Sequence, residues 1–356
     1  MAYDIEGDPR IDPRVKALYA LLPPAEQPND VSSREELLEE ASTDSALAEE
    51  ALLKGFLELC DDEGIAPSKG LRIVTHAVTS SPDGNVINIQ YIRPDNDDVV
   101  PCVYYIHGGG MATMSCYYGN YRAWGKMIAH HGVAVAMVDF RNSLMASSVP
   151  EIAPYPAGLN DCAAGLKWVL AHADELGVDS SRVIIAGESG GGNLTLALGM
   201  KLLREGDVGR VSGLYAFCPY IAGEWPQPDL PSSTENNGIF LNVHSNRAKW
   251  MYGIDGFESR DPLAWPRFAS AEDVKGLPPV VISVNECDPL RDEGIAFYRL
   301  LIANGVAARC RQWERCTGRK YFLPCVPTSR PMRRVTSRAS PLVESRCPPR
   351  YCGQRD

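Results

Sequence analysis

The apolar positions of this chain fall into three regimes. From Val31-Ser32-Ser33-Arg34-Glu35-Glu36 onward, apolar residues recur at helical spacing through Leu52, Phe56 and Leu59. The serine followed three residues later by glutamate is an N-cap signal, so residues 1–70 read as helical and acidic. From Leu71 the period changes. Leu71–Val78 and Val86–Ile92 read as strands joined by the turn Pro82-Asp83-Gly84-Asn85, a hairpin. Thereafter short apolar runs alternate with helical stretches. The strands are Cys102–Ile106, Val133–Val138, Val183–Ala186, Gly213–Cys218 and Val280–Val284. The helices are Tyr121–His131, Gly158–Ala173, Asn193–Leu203 and Gly294–Ala303. Such alternation predicts an α/β fold, a mostly parallel sheet with helices on both faces, made mixed by the opening hairpin.

Two stretches break the pattern. Residues 222–275, rich in Pro, Trp and Asn, read as an insertion over the sheet. After Arg309 neither periodicity survives, and the final strand and helix that such a sheet normally ends with are not legible. The expected organisation is therefore an N-terminal segment 1–65, a core 66–221, the insertion 222–275, a second core part 276–309, and an aberrant tail 310–356 without regular order.

Charge and cysteine break at the same place. The net charge of −10 argues against nucleic acid and anionic membrane as partners, because both need a basic face. Yet residues 309–356 hold 12 Lys+Arg against 3 Asp+Glu, leaving 23 against 42 upstream. Five of the eleven cysteines (Cys310, Cys316, Cys325, Cys347, Cys352) also crowd into that tail. With no C-x-x-C pair or histidine among them, no metal site is expected. Cys60, Cys102, Cys116, Cys162, Cys218 and Cys287 sit mostly among apolar neighbours and read as reduced, buried thiols. The N-terminus lacks a basic start and an apolar core, and no apolar run approaches the roughly 18 residues of a membrane span. A cytoplasmic protein is expected.

Three motifs carry chemistry. In Val183-Ile184-Ile185-Ala186-Gly187-Glu188-Ser189-Gly190-Gly191-Gly192-Asn193 a short strand runs through G-x-S-x-G into a helix. That context makes Ser189 the nucleophile, lifted on a strained turn at a helix N-terminus, with Glu188 supporting it. A phosphate-binding glycine loop is the competing reading. In Tyr105-Ile106-His107-Gly108-Gly109-Gly110-Met111 the glycines let main-chain N–H groups turn inward. Gly109 and Gly110, joined by Gly190, are the expected oxyanion donors. His107 reads as a structural histidine bonding to the loop. In Asn285-Glu286-Cys287-Asp288-Pro289-Leu290-Arg291-Asp292-Glu293-Gly294, Asp288 follows an apolar strand where an acid can orient an imidazole. Asp292 and Glu293 fall in the first helical turn and read as dipole partners.

Taken in this order, His107–Gly110, Gly187–Asn193 and Asp288–Gly294 resemble the hormone-sensitive-lipase family of α/β-hydrolases. Val138–Asn142, Asp261–Pro266 and Asp288–Phe297 are most similar to its bacterial brefeldin A esterase branch. The resemblance covers residues 65–308 well. It implies an α/β-hydrolase fold with an eight-stranded sheet under a helical cap built from residues 1–60 and 222–275. It further implies hydrolysis of small-molecule carboxylic esters through an acyl-serine, with no cofactor. Trp225, Phe240 and Trp250 would line the acyl or alcohol pocket. A homodimer is allowed for.

One element departs from the family. Its histidine lies about 30 residues beyond the acid, but the six histidines here are 76, 107, 130, 131, 172 and 244. None follows Asp288. The tail suggests why. Back-translated from Trp313 and read two bases later, it can give Gly-Ala-Val-His-Gly-Thr-Glu-Ile-Phe, the histidine arising where a TGC codon for Cys316 precedes any Thr317 codon. The last 45 or so residues are therefore expected to be a frameshifted form of the family's final strand, histidine loop and helix. Function is read first as a carboxylesterase impaired by that loss. The alternative is an inactive small-molecule-binding protein on the same scaffold, similar to plant gibberellin receptors, and an acyltransferase is a minor third. His244 is the weak candidate for a substitute base.

Overall fold

The computed structural model describes residues 4–20 and 27–316. Three helices come first: α1 (Pro13–Tyr19), α2 (Arg34–Ala41) and α3 (Asp44–Glu58). The cap expected before α2 is divided between two serines. Ser33 Oγ accepts from the Glu36 N–H at 3.2 Å, while the Glu36 carboxylate accepts from the N–H and hydroxyl of Ser32.

The hairpin is β1 (Leu71–Thr79) and β2 (Val86–Pro94), paired antiparallel from Leu71↔Pro94 to Thr79↔Val86. Then follow β3 (Val100–Ile106), α4 (Gly119–Ala129), β4 (Ala134–Asp139), α5 (Ala157–Ala171), α6 (Ala173–Leu176), β5 (Val178–Glu188), α7 (Gly190–Glu205) and β6 (Gly213–Phe217). The insertion carries only short helices: α8 (Ser232–Glu235), α9 (Arg247–Tyr252), α10 (Ile254–Glu258) and α11 (Ala271–Val274). The core resumes with β7 (Val280–Cys287) and α12 (Arg291–Ala303), and ends in β8 (Ala308–Cys316). The sheet order is β1-β2-β4-β3-β5-β6-β7-β8, antiparallel on either side of β2 and parallel elsewhere. The mixed α/β sheet is the one the alternation predicted. Central strands carry continuous apolar runs because helices cover both faces, and every residue of β4 is buried.

Several elements run a few residues beyond their expected bounds, and two differences are larger. β5 starts at Val178, ahead of the apolar run, because Val178 pairs with Val100 before a register shift moves to Cys102↔Val183. Polar Asp179, Ser180 and Ser181 concealed that extension. The second difference is a correction: the chain beyond Arg309 is not without regular structure. β8 pairs in parallel with β7 from Val280↔Ala308 to Asn285↔Trp313, then at Cys287↔Cys316. An edge strand takes its order from the neighbour's main chain and needs little apolar signal of its own. Ala308 and Cys310 pack against the core while Arg309 and Arg311 face solvent. The rest of the expected aberrant tail, with Cys325, Cys347 and Cys352, lies outside the described residues.

A buried ion pair locks the hairpin to α5. Asp161, fully buried, accepts from the Arg141 guanidinium at 2.8 and 3.0 Å, from the Arg141 N–H at 3.0 Å and from the Ser80 hydroxyl. Removing one partner of a buried pair leaves the other uncompensated, which costs about 3–5 kcal/mol. Asp161→Ala leaves Arg141 with only the more exposed Asp83 carboxylate at 2.6 Å, so it is expected to lower stability by up to about 3 kcal/mol, read as a drop in the urea unfolding midpoint at constant slope. The six cysteines of the first 308 residues are buried, as their sequence context indicated. Among the described residues no helix is long and apolar enough to cross a membrane.

The N-terminal helices and the insertion meet each other. Asn246 exchanges two hydrogen bonds with the Val31 main chain, at 2.9 and 2.7 Å, and Arg247 pairs with Glu40.

Candidate active site

The serine turn is built by β5, α7 and the strands beside them. Ser189 sits between the last residue of β5 and the first of α7 with φ 52° and ψ −119°. A non-glycine residue held there stores about 1–3 kcal/mol of strain and persists only where its surroundings fix it. Three contacts do so. The Ser189 N–H donates to the Phe217 carbonyl at 2.9 Å, and the Ser189 carbonyl accepts from the N–H groups of Asn193 and Tyr220, both at 3.0 Å. The flanking glycines are steric necessities: a Cβ at Gly187 would lie 2.3 Å from the Gly191 carbonyl oxygen, and one at Gly191 2.1 Å from that of Ile106. Ser189 stays partly exposed while Glu188 and Gly190 are buried on either side.

The glycine run after β3 packs onto this turn. A Cβ at Gly190 would stand 2.5 Å from the Met111 nitrogen and 2.8 Å from the Gly110 nitrogen, so the N-terminus of α7 and the loop amides share one small space. Gly109 and Gly110 adopt φ of 93° and 64°. Their N–H groups make no hydrogen bond to any described residue. Inward amides converging at a helix N-terminus can hold a developing negative charge.

His107 is fully buried, stacked on Phe140 at 4.3 Å between ring centroids. Its Nδ1 lies 2.8 Å from the Gly108 carbonyl oxygen and its Nε2 3.6 Å from Asp139. Burial lowers its pKa, against the opposing pull of Asp139. This environment agrees with a structural histidine. Glu188 is also buried, and its charge adds to burial in pushing the Tyr105 phenol up.

Asp288 follows β7 directly and is fully buried. Its carboxylate accepts from the Leu290 N–H at 2.9 Å and from Asn285 Nδ2 at 3.3 Å, which fixes its orientation. The buried Asn236 side chain donates to the Asp288 carbonyl at 3.1 Å, and its own oxygen accepts from Arg10. The sequence reading missed Asn236 because its partners lie far away in the chain.

Asp292 and Glu293 do more than serve the helix dipole. Both occupy the first turn of α12, but each also ties the insertion down. Asp292 accepts from the Ser232 N–H at 2.7 Å. Glu293 is 1% exposed; it accepts from the Ile221 N–H at 2.7 Å and the Trp225 indole N–H at 2.8 Å. Burial pushes its carboxyl up to about 8. Of the aromatics expected to line a pocket, Trp225 is buried in the cluster with Tyr220 and Trp265. Phe240 is partly buried and packs beside Ile11, Val15 and Cys287, where the N-terminal segment meets the insertion.

None of the six histidines hydrogen-bonds Ser189 Oγ, and no other described residue does. The His244 Nε2 is engaged by the Ser233 carbonyl at 2.7 Å and that of His130 by Pro67. His76 and His172 flank the Trp168 ring.

With this geometry in place, the relatives can be compared. A family model described as alpha/beta hydrolase fold matches residues 103–317. The chain belongs to that family, in its hormone-sensitive-lipase-like branch, whose class is that of the carboxylic ester hydrolases. It is 61% identical to the solved structure of esterase Est22, with a TM-score of 0.89, covering 91% of this chain and 95% of that one. Brefeldin A esterase, a bacterial homologue of human hormone-sensitive lipase, is 34% identical with a TM-score of 0.75, over 90% of both chains. Among curated relatives, esterase LipI of Mycobacterium tuberculosis is 34% identical over 66% of this chain and 71% of its own. Carboxylesterase NlhH of the same organism is 34% identical over 61% of this chain and 65% of its own.

Proposed function

We propose that the chain is a carboxylic ester hydrolase working through an acyl-serine on Ser189, and that its turnover is impaired because no histidine follows Asp288. The carrying observation is Ser189 at positive φ on a helix N-terminus, against which the Gly110 and Met111 amides are packed. Ser189 Oγ attacks the ester carbonyl and the oxygen becomes an anion held by the N–H groups of Gly109, Gly110 and Gly190. The carbon–oxygen bond to the alcohol then breaks. Water repeats the sequence on the acyl-serine and releases the acid. Without an imidazole the serine proton passes to water, and the departing alkoxide takes its proton from water. Oxyanion and binding terms alone can still leave about 10³–10⁴-fold over the uncatalysed rate.

The frameshift reading has support from the register. β8 runs beside β7 as far as Cys287↔Cys316, so position 316 stands at the strand end from which Asp288 departs. A Cys316 codon of TGT would give tyrosine in the shifted frame, so sequencing the gene tests that part alone.

Slow hydrolysis of p-nitrophenyl acetate and butyrate is expected, diminished in Ser189→Ala to what the oxyanion donors and binding alone supply. Undiminished turnover in that variant sinks the reading. A second reading, a small-molecule-binding protein without turnover, gains from β8, since such a protein would keep an ordered last strand. It predicts no Ser189-dependent rate but retained binding of p-nitrophenol. A cytoplasmic location and a homodimer are parts of this proposal, read by cell fractionation and by sedimentation.

A further inference from the structure

The loop after β6 does two things at once. Its Tyr220 N–H holds the Ser189 carbonyl, and its Tyr220 ring reaches the oxyanion loop. A Cβ at Gly110 would lie 3.9 Å from Tyr220 Cε1 and 3.4 Å from the Met251 methyl, so these two side chains wall the space beside the amides. The methionine is flexible and can yield; the tyrosine is fixed from every side. Its ring stacks on Trp225 at 4.6 Å and meets Trp265 edge-on at 5.9 Å. Its carbonyl accepts from Asn193 Nδ2 at 3.0 Å. One residue further on, Glu293 takes the Ile221 N–H with one oxygen and the Trp225 indole N–H with the other, pinning both ends of the Tyr220–Trp225 stack.

We infer that Tyr220 is a specificity-determining residue that restricts the acyl chain to short groups, and that Glu293 is the positioning residue that holds it there. The inference rests on Ser189 being the nucleophile. In the acyl-serine the alcohol has left, and the acyl chain is the only group still attached to the carbonyl carbon besides Oγ and the oxygen in the amide hole. A rigid ring beside that hole therefore meets the acyl chain in both half-reactions. A carboxyl is suited to the pinning because each of its oxygens can accept, whether or not one of them carries a proton. A glutamine would turn an NH₂ toward one of the two donors and lose that bond.

The test uses p-nitrophenyl acetate, butyrate and hexanoate, with the leaving group constant, and counts only the rate lost in Ser189→Ala. In the full chain, kcat/KM is expected to fall with acyl length. Tyr220→Ala should raise the hexanoate-to-acetate ratio by about tenfold or more, the size expected for a pocket gaining room for extra methylenes. Tyr220→Leu, which keeps most of the volume, should raise it less. Tyr220→Phe should leave it unchanged. Glu293→Gln should shift the ratio the same way as Tyr220→Ala, by about threefold, and Glu293→Asp should shift it less; a purely structural residue would lower all three rates in proportion. An unchanged ratio in folded Tyr220→Ala or Tyr220→Leu overturns the assignment of Tyr220, and a proportional loss in Glu293→Gln overturns that of Glu293. Either result leaves the nucleophile standing, since Ser189→Ala alone decides that question.

Discussion

Restoring the shifted reading frame from codon 313 onward is expected to raise kcat/KM for p-nitrophenyl butyrate by at least about 10³-fold. On the proposed mechanism the other groups are already in place. Ser189 is held at φ 52° by three main-chain hydrogen bonds, and Asp288 is oriented by Leu290 and Asn285. The missing part is a group that takes the serine proton and gives it to the leaving alcohol. Deleting the base of a serine hydrolase costs about 10⁶-fold in kcat, and even fixing it in the wrong tautomer costs about 10⁴-fold, so its return should recover a large share. Position 316 in β8 pairs with Cys287, one residue before Asp288, so a histidine at this point enters beside the acid. The restored chain should also gain an acid limb in its pH–rate profile with an apparent pKa near 6.5–7, the signature of an imidazole that must be neutral to act. A restored chain no faster than the present one, or one without that limb, defeats the proposal.

The second large effect is steric. In the restored chain, Gly190→Ala should lower kcat by about 10²–10³-fold, the usual cost of losing an oxyanion donor. The new methyl would stand 2.5 Å from one backbone nitrogen and 2.8 Å from another, and backbone cannot rotate away as a side chain tip can. Either the glycine loop retreats from the serine or the first turn of α7 does, and in both cases the amides no longer converge. Gly55→Ala inside exposed α3, where nothing lies within 4 Å of the new atom, is the control and should leave the rate unchanged while raising stability by about 0.5–1 kcal/mol. Equal loss in the two variants, or none in either, would rule out the convergence of amides as the source of rate.

The parts legible in the sequence were those written locally. The Ser189 turn needs glycines within two positions, the oxyanion loop needs three together, and β1 and β2 announce themselves by the turn between them. Glu293 was not legible because its partners Ile221 and Trp225 lie 72 and 68 residues away, and an acid in a first helical turn already has an explanation. β8 was not legible because its sequence, Ala-Arg-Cys-Arg-Gln-Trp-Glu-Arg-Cys, carries almost no apolar run; its order comes from β7. Phe240 shows a related ambiguity: aromatic content marks a pocket wall and an ordinary packing contact equally well.

The pairing of β8 with β7 has a consequence for the history of this gene. If the proposed frame shift is right, it falls at codon 313, after seven strands and the start of the eighth are already encoded. What it takes away then lies where the last strand runs past the acid, and the present gene stands one small insertion or deletion from a chain with a histidine at position 316.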